Sequence, residues 1–164
     1  MTPDPGPRPP QDPPATDRPR SRAWEVCLYA VVVFWSLALS WAGAGGRTVS
    51  AFQLVERADE IRTGALSHAV TALRVVQWSG GALAVLSLVR AFAPSVRLAG
   101  AALLAATCTF GGVAVAVAEL HRSLQALPVT ASASLDYGAL VAAVAGLMAL
   151  MRAAGDLERQ RAAG

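Results

Sequence analysis

The chain contains no lysine; all fourteen of its basic residues are arginine. With Ala, Gly and Val dominating the apolar positions, this suggests a GC-rich coding sequence of the kind common in actinobacteria. Cysteine is nearly as scarce. Cys27 and Cys108 lie inside apolar runs at different expected depths, so no disulfide is expected between them. No Cys-x-x-Cys occurs, which excludes a thiol-exchange centre and a zinc ribbon, and both thiols read as small packing residues. HExxH, GxSxG, a glycine-rich phosphate loop and a paired-Asp motif are all missing, so no enzyme activity, cofactor or metal is expected. The two histidines, His68 and His121, would need to meet a carboxylate such as Glu119 to hold a metal; each reads instead as an interfacial polar residue. Beyond residue 22 only Pro94 and Pro128 remain, so little interrupts long helices.

What the chain does have is long apolar runs, at about 23–43, 70–91, 96–118 and 135–151, in a sequence that is 54% hydrophobic. Each is near the roughly 20 residues that a bilayer-spanning helix needs. Hydrocarbon offers no hydrogen-bond partners, so runs this apolar read as helices. The expectation is an all-α membrane protein: a four-transmembrane-helix bundle over 23–154, with outer loops at 44–69 and 120–134. The first run could also be a signal peptide, since Ala42, Gly43 and Ala44 follow it, but its length and its Trp24, Trp35 and Trp41 favour a retained helix.

Residues 1–22 hold eight of the ten prolines and read as a disordered tail; residues 155–164 read as a second short tail. A pI near 9.5 would suggest nucleic acid in a soluble protein, but here arginines cluster at span ends and set orientation, and no nucleic-acid partner is expected. Placing the N-terminus in the cytoplasm leaves nine arginines inside (Arg8, Arg18, Arg20, Arg22, Arg90, Arg97, Arg152, Arg159, Arg161) and four outside (Arg47, Arg57, Arg62, Arg122). Both termini are therefore expected in the cytoplasm of a bacterial cell, the protein being multi-pass in the inner membrane, with a tight turn at Pro94 and Ser95.

In the first outer loop, Ser50 and Gln53 have capping-box spacing, and Leu54, Ala58, Ile61 and Ala65 then share one helical face. This predicts an extracytoplasmic amphipathic helix with Glu56, Arg57, Asp59, Glu60 and Arg62 on its wet side and Gly64 as an interruption.

Polar and ionisable groups at membrane depth are costly, which makes Arg74 and Gln77, Glu119 and His121, and Asp136 the candidate outer polar cluster. Arg74 could snorkel to the outer interface with its neighbours as ordinary boundary residues, line a polar vestibule for a proton, ion or lipid head group, or pair there with Glu119 or Asp136. Glu25 reads as facing head groups or Arg22. Only Thr107, Cys108 and Thr109 interrupt the apolar third and fourth runs below this level, so no continuous polar path is visible. Small residues every four positions form candidate helix-packing or partner faces: Gly80 with Ala84; Cys108, Gly112 and Ala116; Gly138, Ala142 and Gly146.

The layout, with a cytoplasmic tail, a large first outer loop after Trp41 and a smaller second loop, resembles the four-span plan of claudin-like and other small bacterial envelope proteins. The resemblance covers topology: Trp41 stands alone and the loop has no cysteine, so no family residue or activity follows from it. The leading expectation is a non-enzymatic accessory or stabilising subunit of a larger envelope complex, one that moves lipids for example, with the bilayer and a membrane protein or a second copy as partners. A small oligomeric transporter with a polar outer vestibule and an envelope-sensing regulator are the alternatives.

Overall fold

A computed structural model describes residues 18–44, 47–57, 65–125 and 133–162. Four long helices are α1 (Arg18–Ser36), α3 (Ala65–Phe92), α4 (Val96–Gln125) and α5 (Tyr137–Ala162); a short α2 (Ala51–Glu56) and strands β1 (Ser40–Ala44), β2 (Arg47–Ser50) and β3 (Ala133–Leu135) lie in the connections. The long helices close a ring in which α1 packs on α3, α3 on α4, α4 on α5, and α5 on α1. Three of them, α3 from Ser67, α4 and α5, are long and apolar enough to cross a membrane, whereas the apolar part of α1, Ala23–Ser36, is shorter.

The first apolar run does not stay helical to Gly43 as expected. Its last carbonyls find other donors: Ser36 Oγ donates to Val33 O at 2.6 Å, and the amides of Leu37, Ala38 and Leu39 donate to Phe34, Trp35 and Ser36. Trp41 Nε1 donates to Ser36 O at 2.8 Å, and Phe52 N to Leu37 O at 3.3 Å. With those acceptors satisfied, the chain leaves the helix and enters β1. Trp41, expected at a membrane interface, is instead fully buried. At the other end α1 begins inside the expected tail, at Arg18; Pro19 is tolerated there because a first-turn residue needs no amide donor.

The small sheet is the main departure from an all-α expectation. Its order is β2-β1-β3, both pairs antiparallel, with Ala42 opposite Val49 on one side and Leu135 on the other. It joins residues of the two outer loops to the end of the first apolar run, and Leu135, expected to open the fourth span, is a strand residue. Strands of three to five residues made largely of Ser, Ala and Gly carry no alternation that would announce them.

The capping box at α2 forms as read: Ser50 N donates to Gln53 Oε1 at 3.0 Å and Gln53 N to Ser50 Oγ at 3.3 Å. The helix ends at Glu56, and Ala58, Asp59, Glu60, Ile61, Arg62 and Gly64 lie outside the described residues. Between α3 and α4 the turn falls at Pro94 and Ser95, where Ser95 Oγ accepts from Leu98 N at 3.2 Å and caps α4. Helices α4 and α5 overrun their expected ends, to Gln125 and Ala162.

The core has two parts. Near the sheet, Leu37, Trp41, Leu73, Val76, Val113 and Leu120 pack together; near the chain termini the cluster is Val26 and Leu83 with Ala30, Ala102, Ala106, Ala149 and Ala153. The two ends of the ring are called here the sheet end and the terminal end.

Candidate functional site

The expected outer polar cluster is not assembled. Glu119 takes Arg122, one turn along its own helix, at 2.8 Å. Asp136 is engaged by the sheet: its carboxylate accepts from the Ser40 hydroxyl and, at 3.4 Å, from Ser134, while its amide donates to Trp41 O at 3.1 Å. His121 Nε2 lies 2.9 Å from Gln125 Nε2, again within one helix. Arg74 is exposed and forms no ion pair among the described residues, and Gln77 is half-buried beside it. Of the readings open for Arg74, pairing with Glu119 or Asp136 is not seen, since each acid engages another partner. Among the described residues no three His, Cys, Asp or Glu side chains gather as metal ligands would.

The small residues divide. An added Cβ at Gly138 would lie 2.6 Å from Trp41 Cδ1 and 2.7 Å from Ser40 O, and one at Gly112 would lie 2.8 Å from Val76 Cγ2 and 3.2 Å from Ala72 O. At these two positions only glycine allows the observed approach. Gly146 sits at ordinary contact distance from Phe110, 3.6 Å, with Ala142 and Ala116 fully buried nearby in the core. Gly80 is buried, yet no atom lies within 4 Å of an added Cβ; Ala84 is half-buried, its carbonyl 3.8 Å from Cys27 Sγ. Cys108 faces outward, so it does not belong to the packing face with Gly112 and Ala116. A four-residue step turns a helix by about 40°, which rotates the stripe from surface to core over two steps.

Several hydroxyls inside the helices are satisfied locally, by carbonyls of the preceding turn. Ser79 donates to Val75 O at 2.6 Å and Thr107 to Leu103 O at 2.9 Å. Thr109 Oγ1 lies 2.8 Å from Ala105 O and 2.9 Å from Ser79 Oγ, so its one proton serves α4 or the α3–α4 contact in turn.

The terminal end holds what the sequence reading missed. Arg90 and Asp156 are buried, side chains 3% and 9% exposed, with Nη2 and Oδ2 3.5 Å apart. Arg90 Nε and Nη1 and Ser87 Oγ, on the same face of α3, are buried without hydrogen-bond partners. Beside them Glu25 meets Arg152 at 3.3 Å, both side chains being partly exposed; the Arg22 side chain lies outside what the structure describes. From sequence, Arg90 reads as an orienting charge and Asp156 falls in the short tail. The signal was present: the buried stripe Gly138, Ala142, Gly146, Ala149, Ala153 continues at helical spacing onto Asp156 and Leu157.

The chain matches no protein-family model, no curated protein and no solved structure.

Proposed function

We propose that the chain is a four-span protein of a bacterial inner membrane, both termini cytoplasmic, that acts as a non-enzymatic accessory or stabilising subunit of a larger envelope complex. In that placement α1 crosses with the three longer helices. Its apolar part is roughly 21 Å long, against a hydrocarbon core of about 30 Å, and Leu37 and Trp41 continue the apolar path toward the sheet. The arginine asymmetry supports the orientation.

The observation that carries the subunit reading is where the polar chemistry goes. Asp136, Glu119, Glu25, Asp156 and Arg90 all engage partners within the chain. The outward faces instead carry large apolar side chains, Trp78 80%, Trp35 71%, Leu104 67% and Leu140 63% exposed. Such a surface suits lipid and neighbouring helices. A transporter reading has less support, because Arg74, Glu119 and Asp136 do not converge.

The test is purification of the tagged protein from its native membrane in a mild detergent, with mass spectrometry of what accompanies it. A stoichiometric membrane-protein partner is expected. Recovery as a defined homo-oligomer whose reconstituted ion or solute flux changes with Glu119→Gln would overturn the reading in favour of transport.

A further inference from the structure

Arg74, Trp78, Gly81 and Val85 recur along α3 at steps of four, three and four, and so form one stripe of the helix. Between this stripe and Phe34 of α1 runs an open groove of about 710 Å³, apolar except for Gln77. No atom lies within 4 Å of a Cβ added at Gly81, so the groove is a notch that the bundle itself leaves unfilled. Its sheet end is bounded by α2, whose Phe52 ring meets Phe34 edge to face at 5.8 Å, and Gln77 also lines the narrow crevice between α2 and Leu73.

Arg74 stands one turn sheetward of Trp78, about 6 Å along the helix axis. It is exposed and has no counter-charge among the described residues. A cation at the rim of an apolar groove, at the depth where a spanning helix emerges from hydrocarbon, matches an amphiphile with an anionic head and a hydrocarbon tail. Guanidinium suits phosphate, which it can bind through two parallel hydrogen bonds. A transmembrane helix laid in the same groove would have to leave Arg74 unpaired or bring an acid of its own.

We infer that this groove holds one acyl chain of an anionic phospholipid from the leaflet at the sheet end, with the lipid phosphate on Arg74 and the Gln77 amide toward the glycerol esters. The inference rests on the membrane placement proposed above and requires no protein partner.

Native mass spectrometry of the full chain, titrated in mild detergent with phosphatidylglycerol or phosphatidylcholine, tests it. One bound phosphatidylglycerol is expected, retained about fivefold better than phosphatidylcholine, the factor that one interfacial arginine supplies. Arg74→Gln should erase that preference, Gly81→Phe should lower retention of both lipids, and Arg47→Gln, another exposed cation at the sheet end, should leave the preference intact. Thermal unfolding of both groove variants should match the parent, since Gly81 faces open space. Equal retention of the two lipids by the parent, or equal loss in Arg74→Gln and Arg47→Gln, would overturn the assignment. So would a dimer that replaces the lipid adduct and is abolished by Gly81→Phe, because a second copy would then fill the groove. Release of the protein from native membranes by alkaline carbonate would fail the membrane placement itself, separately from these results.

Discussion

The two ends of the bundle are closed by different physics. At the sheet end the closure is directional: three short strands, a buried Trp41 whose indole donates to Ser36 O, and Asp136 bonded to β1 and the Ser134 side chain. At the terminal end no strand occurs among the described residues; alanines bring the helices close and two ion pairs tie α5 to its neighbours, Asp156 to α3 and Arg152 to α1. A closure spread over many separate hydrogen bonds should lose its strength in modest steps. One resting on a buried charge pair should fail abruptly when a single partner is removed, because the remaining charge has nowhere to go.

The largest effect is accordingly expected from Asp156→Ala, which leaves the Arg90 guanidinium buried and should destabilise the bundle by about 3–5 kcal/mol. Thermal unfolding in detergent would measure it. The double change Arg90→Met with Asp156→Leu should unfold at a higher temperature than Asp156→Ala, since it removes the stranded Arg90 charge. If the double variant is no better than the single one, the terminal end is not held as described.

Next in size is Gly138→Ala. The new methyl would meet Trp41 and the Ser40 carbonyl below contact distance, and overpacking of this kind costs about 1–3 kcal/mol. Gly80→Ala makes the control within the same class of residue: it meets no atom and should be neutral or stabilising by up to about 1 kcal/mol from helix propensity. Equal unfolding temperatures for the two alanine variants would dissolve the distinction between them. Trp41→Phe keeps the ring in the core but removes the donor to Ser36 O, for an expected loss of about 1 kcal/mol. Smallest of all is Glu25→Gln: the pair with Arg152 is partly exposed on both sides, and its loss should cost at most about 1 kcal/mol. A cost for Glu25→Gln approaching that of Asp156→Ala would mean that exposure does not separate the two ion pairs.

The same contrast explains what could be read from the chain alone. The Pro94–Ser95 turn and the Ser50–Gln53 capping box are local patterns and appear where the residues place them, and the apolar runs give four long helices whose ends differ from the expected ones. The ends of the bundle depend on meetings between distant segments. Ser40 finds Asp136 across 96 positions and Arg90 finds Asp156 across 66, and no local pattern encodes either. Arg74, Gln77, Glu119, His121 and Asp136 were grouped because they share an expected depth, but depth does not fix which way a side chain faces. Glu119 and His121 each take a neighbour one turn away, and Asp136 turns into the sheet, while Arg74 is exposed beside the groove with no ion pair among the described residues. The helical stripe that ends on Asp156 is a local pattern too, and it runs past the expected end of the span into residues 155–164.

The most direct test of the account places the two ends on opposite sides of a membrane with four crossings between them. Single cysteines at Thr16, Thr48 and Arg159, introduced after replacing Cys27 and Cys108 with alanine, would be labelled with a membrane-impermeant maleimide in intact and in permeabilised cells. The account predicts labelling of the position 48 cysteine in intact cells, and of those at 16 and 159 only after permeabilisation. Labelling at positions 16 and 48 together in intact cells, with 159 protected, would mean that α1 does not cross, and would contradict the four-span bundle.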